Sequence, residues 1–451
     1  MIPLLGDYEP LNRVLAIDDC GEILRAADVR EAARQWSARL NDCKRLFVLT
    51  CDNTCEHLKE YLALVAAGQA VILVGSGISS NALDDIILRY RPWGVVRPGE
   101  GTDELSLGTA PIHPELAVLL STSGSTGSPK LVRFSARQLE VNADAISEYL
   151  DINSSERPFA HLPFHYSFGL SVIHSHLRAG ATVLLSRHSL VSPDFWARMD
   201  ADRATSLSGV PFHFEMLLKL RIQRRNLPHL KTLTQAGGKL TAQLVHQMAE
   251  IAEQTGRRFF VMYGQTEAGP RISYLSPDRV KAKPDSIGRP IPGVTLSLRG
   301  HGDFPSGVGE LIVESPSIMM GYAESAEDLA RADDCHGILA TGDIASQDAE
   351  GDFVIVGRTS RFIKLQGNRL NLADVEQRLA ALGLAVACVG VDDHLWIATE
   401  KDDPERIRSA IIDEFTFPSR STTIVKLDRL PRSEGGKLLY RDLLETLRGE
   451  G

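Results

Sequence analysis

Ser121, Thr122, Ser123, Gly124, Ser125, Thr126 and Gly127 run through Ser-Pro to Lys130, a ten-residue stretch rich in small and hydroxyl-bearing side chains. Glycines let a backbone approach closely, so amides and hydroxyls here can surround phosphate oxygens while Lys130 supplies positive charge. A Ser/Gly run is more often a flexible connector. In this chain the apolar run LAVLL leads straight into it and LVRF leads straight out, which leaves no slack for a linker. The rival phosphate motif GxxxxGK[ST] is missing: Gly238-Lys239 and Gly436-Lys437 are each followed by leucine and lack the upstream glycine. A P-loop nucleotidase is therefore disfavoured.

Other chemistry-bearing residues lie downstream in four islands: Tyr263-Gly264-Gln265-Thr266-Glu267, Thr341-Gly342-Asp343, Gly357-Arg358 leading to Ile363-Lys364 and Gly367, and Pro431 to Gly436-Lys437. Glu267 closes a strand-to-loop corner, where a carboxylate can hold Mg²⁺ against phosphate oxygens and Thr266 can donate beside it. Each island also has a plainer reading. A glutamate after a strand is usually a solvated turn residue, and an aspartate in TGD usually caps its own backbone in a turn. Lys364 fits an ordinary amphipathic strand, and Lys437 a solvated loop.

The elements that would position these residues follow an alternating rhythm. From Lys44, RLFVLT, a helix from about Asn53, AVILVG, a helix over 81–90 and WGVV read as βαβ units of a parallel sheet. After the phosphate loop come LVRF, a helix over 136–149, FAHL, an apolar helix after Phe168, ATVLL, a short helix over 195–199, TSLSGV, LKTLTQ, a helix over 241–254 and RFFVMY, a second α/β segment. Between about 291 and 356 short strands punctuated by Gly and Pro predict a small antiparallel β unit. The tail then reads as a compact α+β domain. The prediction is an α/β chain with a large domain over 1–359 and a small one over 360–451.

The loop and the four islands together resemble the adenylate-forming superfamily of acyl- and aryl-CoA synthetases, peptide-synthetase adenylation domains and beetle luciferase, over about 116–441. That resemblance implies ATP, Mg²⁺ and a carboxylic acid as reactants, with coenzyme A or a phosphopantetheine arm accepting the acyl group. It assigns Thr266 to the α-phosphate, Glu267 to the metal, and Asp343 with Arg358 to the ribose hydroxyls. The nucleotide cleft would include Gly237, Tyr263, Gly264 and Gln265. Lys437 would bridge carboxylate and α-phosphate during adenylation, and Lys364 would serve thioester formation after the tail domain rotates. The hinge slot, usually Asp or Lys, holds Ser360 here, which separates this chain from the pattern.

His165, Tyr166 and Ser167 are similar to the segment that begins the acyl pocket of such ligases, and Gly209 and Gly238 follow strands where a cleft needs room. Tyr166 falls where a gating residue stands. Ser167 falls where α-amino-acid adenylation domains place an aspartate, and a buried ammonium without it would lack a partner. His161, His174 and His176 are read as wall or core residues, since i and i+2 do not share a helical face. Lys219, Arg221, Arg224 and Arg225 are read as a solvated helix face, with a dock for coenzyme A phosphate or a carrier protein as the alternative.

The formal charge of −9 and pI near 5.8 argue against a nucleic-acid or anionic-membrane surface. Cys51 and Cys55, the closest-spaced of six cysteines, lack the companions of a metal site, so reduced structural thiols are expected. With no signal-like N-terminus and no long apolar run, a cytoplasmic protein without a membrane span is predicted. The sequence reads as a stand-alone carboxylate–thiol ligase, acting on a small acid and serving coenzyme A or an acyl or peptidyl carrier protein. A nucleotide-binding regulatory homologue and a stand-alone amino-acid adenylating enzyme are the alternatives.

Overall fold

The computed structural model describes residues 4, 10–105, 110–121, 130–300, 305–365, 368–391, 393–415, 421–432 and 438–449. Two large sheets carry the first three quarters of the chain. The strands Leu46–Cys51, Ala70–Gly75, Gly94–Arg97 and Leu116–Ser121 pair in parallel, as βαβ rhythm requires, and antiparallel strands close both edges of that seven-stranded sheet. The nine-stranded sheet has the same plan. Its parallel centre includes Pro158–Ala160, Ser206–Gly209, Thr232–Gln235 and Arg258–Tyr263, and antiparallel strands again lie outside. The central strands are buried along nearly their whole length, which is why they read as unbroken apolar runs.

Two segments depart from the order expected along the chain. Val14–Ile17, ahead of the first predicted strand, joins the nine-stranded sheet beside Val183–Leu185. Gly321–Ala323, inside the predicted antiparallel unit, pairs instead with Leu131–Ser135 at the edge of the seven-stranded sheet. Arg133 makes that edge. Its side chain is fully buried and donates to the carbonyls of Tyr322, Arg331, Met320 and Ala332 and, at 2.6 Å, to Asp334 Oδ2. Gly321, at φ 127°, is required there, because a Cβ would stand 2.6 Å from Asp334 Oδ2 and 2.9 Å from the Arg133 guanidinium.

Asn53 joins the two sheets. Its amide donates to the carbonyls of Ala160, Leu162 and Ser186 and its oxygen accepts the Phe164 amide, so buried loop backbone is satisfied across the interface. The four-stranded antiparallel sheet is Thr295–Arg299, Val308–Glu314, Ile338–Gln347 and Phe353–Arg358. Here the structure corrects a detail: Asp343 lies within the long strand Ile338–Gln347, directly opposite Arg358, and not in a turn. Gly342, at φ 72°, is what lets the strand bend beside it.

From Phe362 onward the chain forms its own hairpin (Phe362–Leu365 with Asn368–Asn371), a three-stranded sheet and three helices, Leu372–Ala381, Pro404–Glu414 and Tyr440–Gly449. Among the described residues their apolar side chains gather in two clusters that contain none from before Ile363. Cys51, Cys55 and the other cysteines are all free thiols.

Candidate active site

The phosphate loop is the connection of a hairpin. Ser121 pairs opposite Leu131, so the strands Leu116–Ser121 and Leu131–Ser135 bring its two ends together. Thr122, Ser123, Gly124, Ser125, Thr126 and Gly127 lie outside the described residues. Lys130, at the return, sits 2.8 Å from Glu324 Oε1, with its ammonium 5.5 Å from the centre of the Tyr322 ring. Tyr322 in turn donates to Glu267 Oε1 at 2.8 Å. Burial, and then the nearby Glu267 charge, push the Tyr322 hydroxyl well up, so it stays a donor.

Glu267 belongs to the 3₁₀ turn Thr266–Ala268, which follows the central strand Arg258–Tyr263. Gly264 permits that turn: a Cβ there would lie 1.8 Å from the Pro270 carbonyl. Tyr263, at the strand end, donates to Asp343 Oδ2 at 2.5 Å, and Arg358 Nε donates to Asp343 Oδ1 at 2.5 Å. Asp343 is buried, its amide held by Thr341 Oγ1 at 3.0 Å, and Gln265 reaches the Thr341 carbonyl at 3.5 Å. One carboxylate, one phenol and one guanidinium thus form a fixed group at the edge of the antiparallel sheet. Burial and the adjoining Asp343 raise the Tyr263 hydroxyl well above its ordinary value.

The opposite wall starts at the helix Ser167–Arg178. Ser167 Oγ lies 2.9 Å from Thr266 Oγ1, so the pocket segment and the YGQTE turn meet at two hydroxyls. Tyr166 crosses to the strand ends: a Cβ on Gly237, which has φ 80°, would be 2.6 Å from Tyr166 Oη and 3.0 Å from Val210 Cγ1. Gly209 and Gly238 are also crowded, since a Cβ would stand 2.9 Å from His213 at the first and 3.0 Å from Pro211 at the second. His165 faces elsewhere, against Gly75 at the end of a strand in the other sheet.

The histidines are neutral wall and core groups. His161 Nε2 bonds the Ser208 carbonyl at 2.8 Å, and burial, helped by neighbouring His213, depresses its pKa to about 3. Burial lowers His174 to about 3 and His176 and His213 to about 4. Among the described residues no group of three His, Cys, Asp or Glu side chains could hold a metal. The basic run is not a uniform solvated face: Arg225 stacks on Trp196, 4.0 Å from the ring centre, while Arg224 is exposed.

Lys364 lies on the hairpin strand Phe362–Leu365 and Ser360 in the 3₁₀ turn Thr359–Arg361 that precedes it. Lys437 is outside the described residues. The sequence did not signal Tyr322, Glu324 or Arg271. The first two reach the site because the strand Gly321–Ala323, which Glu324 directly follows, crosses to the phosphate-loop hairpin, and no local pattern announces that pairing.

A family model described as AMP-binding enzyme matches residues 14–323. Among curated proteins, the feruloyl-CoA synthase of an Amycolatopsis species is 27% identical over 346 residues, covering 72% of this chain and 68% of its own. The 2-succinylbenzoate–CoA ligase of Bacillus subtilis (strain 168) is 28% identical over 371 residues, covering 78% and 73%. The solved structure of the Bacillus subtilis o-succinylbenzoate CoA synthetase, in complex with an acyl-adenylate intermediate, superposes with a TM-score of 0.76 over 96% of this chain and 95% of that one, at 22% identity. At that identity the likeness establishes a shared fold.

Proposed function

The chain belongs to the AMP-binding enzyme family, and from that premise we propose that it activates a carboxylic acid with ATP and passes the acyl group to a pantetheinyl thiol. In the first half-reaction a carboxylate oxygen attacks the α-phosphorus and the bond to pyrophosphate breaks. In the second, a thiol sulfur attacks the acyl carbon and AMP departs. The observation that carries this reading is the contact of Ser167 with Thr266 at 2.9 Å, because it sets the wall of an acid pocket against the turn that follows the nucleotide-side Tyr263.

Asp343 and Arg358 would hold the ribose, with Tyr263 fixing the carboxylate's orientation. Thr266 would donate to the α-phosphate, and the loop 121–130 would grip the phosphates that leave. Glu267 fits a Mg²⁺ site: Tyr322 occupies only one of its oxygens, and Mg²⁺ keeps waters and phosphate oxygens as most of its ligands, so one protein carboxylate suffices. When bound, the ion offsets the charge of the phosphates. Lys437 would draw together two anions that otherwise repel, and an oriented cation lowers such a barrier more than proton transfer can. Lys364 would serve the thiol step, with the chain dividing at 359/360 and Ser360 at the hinge.

Tyr166 would close the acid pocket against Gly237, while Gly209 and Gly238 let the helix that starts at Pro211 pack closely beside it. Ser167 is engaged with Thr266 and offers no carboxylate for an α-ammonium, which favours an acid without one. The two curated relatives are named for coenzyme A chemistry, and coenzyme A is the acceptor proposed here, with a carrier protein as the second candidate. No helix among the described residues is long and apolar enough to cross a membrane, and a cytoplasmic site is part of the proposal.

ATP–pyrophosphate exchange over a panel of carboxylic acids tests it. Exchange with at least one acid is expected, whereas ATP binding without exchange on any acid would favour a nucleotide-binding regulator. Lys437→Ala should abolish exchange but keep thioester formation from supplied acyl-AMP, and Lys364→Ala should do the reverse. Loss of the same step in both variants would refute the division of labour.

A further inference from the structure

Arg271 lies four residues beyond Glu267 and is 2% exposed, yet it forms no ion pair with a carboxylate among the described residues. Among the described residues its Nη1 donates only to the Met262 thioether at 3.5 Å and its Nε has no hydrogen-bond partner, and the guanidinium lies over the Phe168 ring at 4.0 Å. A thioether and a phenyl face are weak substitutes for water or a carboxylate. An uncompensated buried cation costs several kcal/mol, so a fold tends to keep one only where something pairs with it.

The surroundings say what that something is. Tyr166, Phe168 and Arg271 are neighbours, the two rings 6.3 Å apart and the guanidinium 4.0 Å from the centre of the second. Tyr166 meets Gly237, and the adjacent Ser167 touches Thr266. Phe168, Met262 and Ala236 belong to one apolar cluster, with Tyr166 and Val210 packed against it. Arg271 is therefore a cation in the wall of the acid pocket, beside the aromatic side chains that line it.

Water inside the fold is the rival partner. The guanidinium borders a void of about 20 Å³, shared with His176, Ser175, Glu156 and Arg258, which has room for one or two water molecules. Water would relieve part of the hydrogen-bonding deficit but would not neutralise the charge. Glu156, the carboxylate on that void, lies 4.0 Å from Lys231.

We infer that the acid this chain activates carries a second carboxylate, and that Arg271 is the residue that receives it. A guanidinium in a nearly dry pocket suits a carboxylate because two parallel N–H donors can match its two oxygens. The same site should reject an acid of equal length ending in a methyl group, since the guanidinium would then stay buried and unpaired. This inference rests on the adenylating function proposed above and adds the substrate class to it.

The test uses the full chain in ATP–pyrophosphate exchange with matched acids: succinate against butyrate, glutarate against valerate, adipate against hexanoate, phthalate against benzoate. At least one pair should favour the dicarboxylate, and Arg271→Met should lower that kcat/KM ratio by about 100-fold or more. Arg271→Lys, which keeps the charge but loses the fork, should fall between. Wild-type preference for the monocarboxylate in every active pair would overturn the inference, as would an equal loss on both members in Arg271→Met. Should Arg271→Met fail to fold, the wild-type preference and the Arg271→Lys ratio decide. Exchange with no acid is a separate outcome, which removes the adenylating reading itself and this inference with it.

Discussion

Arg133 and Arg271 are the two largest fully buried side chains among the described residues, and they are treated in opposite ways. Arg133 is enclosed by four carbonyls and the Asp334 carboxylate, and it binds the strand Gly321–Ala323 to the phosphate-loop hairpin. Arg271 has one sulfur and one ring face. The first guanidinium is complete and holds the fold, while the second is incomplete and lies in the wall of a pocket. Burial alone therefore does not identify a structural arginine; its partners do.

Removing the two side chains should separate those roles. The largest effect is expected from Arg133→Met, which removes the buried donor of four carbonyls and leaves Asp334 with Arg331 as its ion-pair partner, and which should cost about 3–5 kcal/mol in urea denaturation. Arg271→Met should be neutral or stabilising in the same measurement, because an uncompensated charge gives way to an apolar side chain of similar length. Equal destabilisation by both would erase the distinction between them.

A second contrast sets the ribose side, where every partner of Asp343 is in place, against the acid side. Asp343→Asn weakens the bond to Arg358 and loses an acceptor proposed for the ribose, so the KM for ATP should rise about 10- to 100-fold with the preference among acids unchanged. A shift in acid preference would mean the two sides are not independent.

Acidification probes the acid side and the neighbouring core. His161, His174, His176 and His213 have folded pKa values of about 3 to 4, below the ordinary 6.5. Between those limits the unfolded chain binds more protons, so stability rises with pH through that window and is lost as pH falls from about 6.5 toward 3. Denaturation at pH 5 should show lower stability than at pH 7.5, and His161→Gln should flatten the dependence. A smaller effect belongs to Tyr322→Phe. It frees one oxygen of Glu267 and should reduce exchange a few-fold, with a steeper Mg²⁺ requirement and little change in stability.

Much of the fold was legible because parallel strands buried on both faces leave contiguous apolar runs, and helices leave a 3.6-residue period. The central strands and the runs LAVLL and LVRF on either side of the phosphate loop were readable for that reason, but the antiparallel pairing of those two runs was not. Nor was Val14–Ile17, since an apolar run of only four residues does not announce a pairing with Val183–Leu185. Gly321–Ala323 was missed likewise, and with it Tyr322 beside Glu267. The turn assigned to TGD was displaced because Gly342 signals a turn locally, whereas pairing with Phe353–Arg358 keeps Asp343 in a strand.

The chemistry on offer could be read directly along the chain: a phosphate loop without a P-loop pattern, a Thr-Glu corner, an aspartate and arginine for a ribose, and two lysines in the tail. Those signals are short and local, and five in fixed order identify a family. Which charges are compensated emerged only on folding. Arg133 sits within an apolar strand and Arg271 after a Gly-Pro turn, and neither context says along the chain whether the charge will be paired. Whether a buried guanidinium meets a carboxylate depends on segments far off in sequence, as Asp334 is from Arg133 (|i−j| = 201).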